Sequence, residues 1–457
     1  MAMNFMRKKS LFTPFSLPVY FFSLTIMAGT VLLHHPISLA KGPISWIDAL
    51  FTATSATCVT GLIVVDTGSF FSPFGQSVIL VLIQLGGLGI MTYTSLVFYL
   101  WRKKITITDR IAVGQSLLHD PSFHLGKFLQ QLIIAVLVIE LLGAIVLYFL
   151  DPRFFSPFSA VFHSVSAFCN AGFSLFSQSL MPWRSSWTVN LVFIILIILG
   201  GLGFAVLVEL KQAFSFTFYN SRKPRYKISW QSHVVLSTTA FLILFGWIAI
   251  FWAEFFGQQH NLSLSEYILS SLFQSVTCRT AGFNTLDIGH MTHVSMLIMI
   301  LLMFVGGSPG SCAGGIKTTT FRGLLSLAVS NILGRKQCVI GKFALDEKSL
   351  NKVITLVIFA IVLIFTSTLL LLISEGGDLP HPEAKGQFLE ILFEVVSAFG
   401  TVGLSTGLTP KLTFWGKCII IFLMFVGRLG PIVFLTLLQS WQTKERFSWP
   451  ESSLLIG

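Results

Sequence analysis

The sequence predicts an all-α membrane protein: eight transmembrane helices forming four helix–pore loop–helix repeats in a pseudo-four-fold arrangement. Three observations lead there. The chain is apolar with few charges, it holds eight apolar stretches of spanning length, and two glycine motifs recur four times in register.

Of its 457 residues 54% are hydrophobic and only 11% charged. A soluble domain carries roughly 25% charged residues. So few charges cannot cover a soluble surface of this size, whereas lipid accepts an apolar exterior. The 45 phenylalanines suit lipid-facing helices. Six cysteines (Cys58, Cys169, Cys278, Cys312, Cys338 and Cys418) are scattered without a CxxC pair and read as free thiols. A net charge of +11 would suggest nucleic acid in a soluble protein. Here it reads as the excess of Lys and Arg on cytoplasmic segments, so no nucleic-acid partner is expected. Arg7-Lys8-Lys9 precedes an apolar run from Leu17 to Leu33. That run is long for a signal peptide and opens the first of four similar units, so it reads as a retained helix.

The apolar stretches fall near 17–34, 76–100, 128–150, 187–210, 233–256, 291–305 continuing to 333, 352–374 and 414–441. Each is of the length that crosses a bilayer, about 20 residues. They divide the chain into units at 1–105, 106–222, 223–345 and 346–457. Within each unit a shorter, less apolar stretch ends in a glycine motif: SATCVTGL at 55–62, SAFCNAGF at 166–173, VTCRTAGF at 276–283 and SAFGTVGL at 397–404. A second motif follows 24–28 residues later: Gly86-Gly87-Leu88-Gly89, Gly200-Gly201-Leu202-Gly203, Gly306-Gly307-Ser308-Pro309 and Gly427-Arg428-Leu429-Gly430. Small residues help membrane helices pack, which explains any one pair but not the shared register. With a cytoplasmic N-terminus, the inner segments hold most Lys and Arg, and eight spans return both termini to that side.

A segment that enters the membrane and returns leaves backbone carbonyls unpaired, which is tolerable only where they are buried or line a watery path. Four such segments around one axis form rings of carbonyls that replace an ion's hydration shell, giving a central cation pore. Glycine permits the backbone angles that aim those carbonyls. The expected filter is Val59-Thr60-Gly61, Asn170-Ala171-Gly172, Thr280-Ala281-Gly282 and Thr401-Val402-Gly403. Helical stretches such as 46–57 and 388–399 precede the loops, and their C-terminal dipole ends favour a cation. Outer acids (Asp66, Asp287, Glu375, Asp378) either concentrate cations or form ordinary solvated surface.

These four repeats, the single glycine in each loop and Arg428 in the last helix resemble the Trk/Ktr/HKT superfamily of potassium transporters, over nearly the whole chain. Eight spans without extra N-terminal helices look like the Ktr-type, NtpJ-like membrane subunit. Thr401-Val402-Gly403-Leu404 echoes the start of the potassium-channel TVGYG filter, without its second glycine. The resemblance implies potassium uptake across the bacterial inner membrane, and Gly61, where sodium-carrying plant relatives have Ser, favours potassium. It implies a homodimer with one pore per subunit and a cytosolic ring of nucleotide-binding regulatory subunits. In some members sodium stimulates flux. No cofactor is expected in this chain, and nucleotide only on the partner.

In the third unit, Gly306-Gly307-Ser308-Pro309-Gly310-Ser311-Cys312-Ala313-Gly314-Gly315-Ile316-Lys317 has a composition that no helix tolerates in lipid. It looks like the family's intramembrane loop below the filter. Gly306, Gly307, Ser308, Gly310, Gly314, Gly315, Lys317 and Arg428 are therefore the gate candidates. Gly306–Gly310 matches the G-x-S-x-G hydrolase elbow in letters, but its strand–helix context and His/Asp partners are absent, so no enzyme is expected. Arg428 is an ionisable residue within a span, either a barrier to cations or part of a structural salt bridge. Arg279 reads as tying down its loop rather than meeting the ion, and Glu140 as a helix–helix hydrogen bond. A sodium- or proton-coupled symporter, or a less selective cation transporter, stays open, because carriers also contain broken helices.

Overall fold

The computed structural model describes residues 17–89, 125–219, 228–257, 262–376, 380 and 386–430. The first unit comprises α1 (Leu17–His34), α2 (Trp46–Thr57) and α3 (Pro73–Gly87). The second comprises α4 (Leu125–Leu150), α5 (Pro157–Phe168), α6 (Trp187–Gly201) and α7 (Phe204–Tyr219). The third comprises α8 (Trp230–Gly257), α9 (Leu264–Thr277), α10 (His293–Phe304) and α11 (Thr318–Ile332). A two-residue-strand hairpin, Val339–Ile340 with Phe343–Ala344, leads to the fourth: α12 (Glu347–Gly376), α13 (Gln387–Gly400) and α14 (Phe414–Leu429).

Helix length sorts these elements. The helices α2, α5, α9 and α13 have 12–14 residues. That is about 20 Å, short of a hydrocarbon core of about 30 Å. Among the described residues, Gln130–Leu150, Trp230–Gly257 and Glu347–Gly376 are long and apolar enough to cross a membrane. Pro18–His34, Pro73–Gly87 and His293–Phe304 are apolar but shorter. The expected span 187–210 is not straight: α6 and α7 meet at 108°. Gly203 takes φ +89° at the corner, and the freed Phe204 N–H donates to Gly310 O of the third unit at 3.1 Å. The far parts of the expected spans 76–100 and 414–441, and the basic segments at 7–9, 102–110 and 222–227, lie outside the described residues.

Serines start the short helices. Ser45, Ser156 and Ser263 accept hydrogen bonds from the Asp48, Ser159 and Glu266 N–H groups, and Ser263 with Glu266 forms a reciprocal capping box. Around the molecule α3 packs on α5, α6 on α9, α10 on α13 and α14 back on α2, so the four units close a circle. Ion pairs Arg184–Glu266 (3.6 Å) and Lys417–Asp48 (2.6 Å) tie the second unit to the third and the fourth to the first. Tight helix contacts rest on small residues: a Cβ on Gly143 or Gly246 would run into Ser164 or Ser275 of its unit's short helix.

The acids expected on the outer side, and Glu254, have local partners. Asp66 and Asp287 cap turns through the Gly68 and Gly289 N–H groups. Glu254 and Glu375 accept from Thr292 N and Thr413 N, the caps of α10 and α14. Asp378 lies outside the described residues.

Ser263→Ala removes one side of the capping box and is expected to cost about 1 kcal/mol. Hydrogen bonds from Ser263, then Arg184, hold the Glu266 carboxyl below its ordinary range. A lowered pKa adds stability above the ordinary carboxylate pKa that is lost as pH falls through the lowered value. Thermal unfolding in detergent at neutral and acidic pH should therefore show the wild-type advantage over Ser263→Ala shrinking in acid.

Candidate functional site

Each short helix ends in a turn that alternates left- and right-handed backbone. Positive φ occurs at Val59 (56°) and Gly61 (91°), Asn170 (59°) and Gly172 (69°), Thr280 (73°) and Gly282 (81°), and Thr401 (51°) and Gly403 (90°). The residue between each pair does not share it. For β-branched Val59, Thr280 and Thr401 this conformation costs of order 1–3 kcal/mol each, so the surroundings must impose it.

Those surroundings are hydroxyls on the short helices. Gly61 N donates to Ser55 Oγ and Gly403 N to Ser397 Oγ, both at 3.1 Å. Ser166 Oγ donates to Phe173 O and Thr277 Oγ1 to Phe283 O, both at 2.7 Å. Thr60 N, Ala171 N and Val402 N reach back to the Ser55, Ser166 and Ser397 carbonyls at 2.7–2.8 Å. The third unit is offset by one residue, with Ala281 N bonding Thr277 O at 2.9 Å. The buried Thr60, Thr280 and Thr401 hydroxyls have no hydrogen-bond partner among the described residues.

The four glycines meet. A Cβ on Gly61 would strike Ala171 O and one on Gly172 would lie 2.8 Å from Ala281 O. A Cβ on Gly282 would approach Val402 O, and one on Gly403 would strike Thr60 O. The carbonyls of Thr60, Ala171, Ala281 and Val402 thus each abut the glycine of the preceding unit, in a closed ring with no space for a side chain. Eight of the twelve expected filter residues, the last two of each triplet, meet at this junction, and Val59, Asn170, Thr280 and Thr401 precede them in the four turns. The second glycine motif explains itself here too. A Cβ on Gly86, Gly200 or Gly427 would strike the last carbonyls of its own short helix, at Thr57, Phe168 and Phe399.

Residues 305–317 connect α10 to α11 as a loop against this junction. Gly306 faces Thr280, Gly314 packs on the Thr401 side chain, and Gly315 on Gly400. The loop is anchored to the second unit's corner: Ser308 N donates to Gly201 O at 3.0 Å and Cys312 N to Gly200 O at 3.2 Å. Gly307 lies under Gly201 O, and Gly310 O accepts from Phe204 N. Thr318 Oγ1 donates to Ser308 Oγ at 3.2 Å, and Lys317 Nζ to Ala313 O at 2.6 Å. The bonds to Gly200, Gly201 and Phe204 make the bent helix pair the mooring of the loop.

Arg428 is buried where the other units have Gly87, Gly201 and Gly307. Its Nη1 donates to Cys312 O and its Nη2 to Gly86 O. Cys312 Sγ donates to the neighbouring Gly87 O at 2.7 Å. The guanidinium therefore joins the loop to the C-terminus of α3, where helix carbonyls lack partners and a positive charge is favoured. No carboxylate among the described residues lies within ion-pair distance of it. Arg279 is also buried, and its Nε has no partner among the described residues, so its expected role in tying down the loop finds no hydrogen bond. Glu140 accepts from Gln84 Nε2 at 3.0 Å, linking α4 to α3 as a helix–helix bond, with Cys169 Sγ at 3.6 Å.

Two polar side chains behind the junction were not anticipated. His163 and Glu394 sit nine residues before Gly172 and Gly403 and bond to the chain just beyond those glycines. Their sequence signal is an ionisable residue in a short apolar helix at a fixed distance from the motif.

The family model for cation transport proteins of the TrkH type matches residues 13–443. Ktr system potassium uptake protein B of Bacillus subtilis is 40% identical, over 93% of this chain and 92% of that protein. Potassium/sodium uptake protein NtpJ of Enterococcus hirae is 35% identical, over 96% and 95%. The crystal structure of the potassium transporter TrkH from Vibrio parahaemolyticus shares the fold, with TM-score 0.69 at 19% identity, covering 95% of this chain and 87% of that one. With its ring of glycine turns and its match over nearly the full length, the chain belongs to the TrkH family of membrane cation transport proteins.

Proposed function

We propose that this chain is the ion-translocating subunit of a bacterial potassium uptake system. The observation that carries this reading is the closed ring of Thr60, Ala171, Ala281 and Val402 carbonyls at the four glycines. Carbonyl oxygens in a ring replace the hydration shell of a monovalent cation without burying a fixed charge beside it. The named functions of the Bacillus subtilis and Enterococcus hirae relatives support potassium as cargo. The name of the second also keeps sodium in play, so coupled symport is the competing reading. Rubidium flux into proteoliposomes, with and without sodium and at varied voltage, separates them: a channel-like path follows voltage alone.

The loop at 305–317 and Arg428 form the gate in this reading. A guanidinium stays charged at any accessible pH. At about 5 Å and an effective dielectric of about 20 it repels a passing cation by roughly 3 kcal/mol. A cavity of about 520 Å³ beside the loop, walled by Pro309, Glu209, Trp230, Thr320 and Val353, gives the loop room to withdraw. The basic segments that the sequence assigns to the inner side suit a cytosolic ring of nucleotide-binding subunits, and a homodimer in the inner membrane with cytoplasmic termini completes the proposal. Potassium is cargo, sodium an activator, and nucleotide belongs to the partner.

Gly61→Ser adds a side chain facing Ala171 O at φ +91°, so the rubidium-to-sodium ratio in matched proteoliposomes should fall. An unchanged ratio would remove Gly61 from the filter. Arg428→Gln weakens the tie between the loop and α3, leaving the Cys312 Sγ bond to Gly87 O, and deletes the charge. Initial rubidium uptake should rise about tenfold or more, the equivalent of one hydrogen bond to a charged group. Shortening 306–315 should raise uptake in the same direction. Equal or lower uptake by folded variants of both kinds would assign the loop and Arg428 to structure alone.

A further inference from the structure

We propose that Glu394 is a positioning residue that fixes the outer turn of the fourth filter segment and so sets cation selectivity. This rests on reading the glycine junction as the filter. Glu394 lies on α13 and is fully buried. Its Oε1 accepts from Ser405 Oγ and its Oε2 from Thr409 Oγ1 at 2.8 Å. Ser405 Oγ in turn accepts from Gly407 N at 2.9 Å. One side chain therefore gathers residues 405–409, the chain that leaves Val402-Gly403.

Packing alone does not account for this residue. A buried carboxylate is costly unless paired or multiply hydrogen-bonded. No Lys, Arg or His among the described residues lies within ion-pair distance of Glu394, and the Ser405 and Thr409 hydroxyls take the place of a counter-ion. In the same column the other units carry Thr52, His163 and Phe273. Thr52 Oγ1 donates within its own helix, to Asp48 O, and Phe273 has no polar atom. His163 repeats the clamp. Its Nε2 lies 3.0 Å from Ser174 Oγ and accepts from Leu175 N at 3.3 Å. Ser174 follows Gly172 by two residues as Ser405 follows Gly403. The clamped units, second and fourth, stand diagonally across the ring, and the unclamped first and third face each other.

A carbonyl ring distinguishes ions of different radius only while its oxygens resist closing on the smaller one. Ser397 holds the filter from the helix side, at Gly403 N, and Glu394 holds it from the outer side. Releasing the outer hold lets Val402 O and its neighbours relax toward sodium.

The test is rubidium uptake against competing sodium, using the purified full chain in proteoliposomes. The variants are Glu394→Gln, Ser405→Ala, the double variant, and Gly61→Ser as the filter control. Glu394→Gln keeps the size but offers an NH2 group to a turn that presents donors. It should lower the rubidium-over-sodium preference about fivefold, the equivalent of one hydrogen bond. Ser405→Ala should shift the preference less, and the double variant no further than Glu394→Gln alone. An unchanged preference in Glu394→Gln, with Gly61→Ser lowering it, overturns the role of Glu394 and leaves the filter standing. No change in either overturns the filter reading and this proposal with it. If Glu394→Gln does not fold, Thr409→Val removes one donor at constant shape. It must lower the preference, and an unchanged value there also overturns the proposal.

Discussion

A helix that stops inside a bilayer must hand its last carbonyls to something other than lipid. Four helices of this chain, α2, α5, α9 and α13, are too short to cross and end among the other units. Their termini converge, and the backbone beyond them alternates in handedness. The hydroxyls of Ser55, Ser166, Thr277 and Ser397 hold that strained conformation in place. The same demand shapes the helices that follow: only glycine lets α3, α6 and α14 approach the carbonyls of Thr57, Phe168 and Phe399.

The third unit meets the demand differently. Its following helix breaks at Val305, and Gly306 packs on Gly314 of the loop. Loop backbone then needs partners, and it takes them from the other units. The second supplies the corner at Gly200–Phe204, the first the end of α3, and the fourth Arg428. Departures in the second, third and fourth repeats that look unrelated in sequence are thus one assembly. The bend between α6 and α7 is where Phe204 N can reach Gly310 O.

Much of this was legible in the residues. The two motifs in register located the four glycine turns and the loop, because glycine at a close approach leaves a mark that no other residue can replace. Three things were hidden. The corner at Gly203 was hidden because an apolar run reads as one helix whether or not its middle is bent. The second was the set of partners of Arg428: two carbonyls from distant segments carry no sequence signature. The third was Glu394. Its neighbours Ser405 and Thr409 lie near in sequence, yet an acid in an apolar helix looks the same whether it faces another helix, as Glu140 does, or the turn beyond its own unit's glycine.

Because all four quarters of the ring lie on one chain, each column can hold four different residues. A ring assembled from identical subunits must place charge there in multiples of four. Here the column of Gly87, Gly201 and Gly307 carries a single guanidinium at Arg428. In the proposed gate, one charge beside the path retards a cation, whereas four would seal it and would repel one another across the axis. Covalent linkage of the repeats thus gives this molecule a finer step in electrostatic design than symmetry permits.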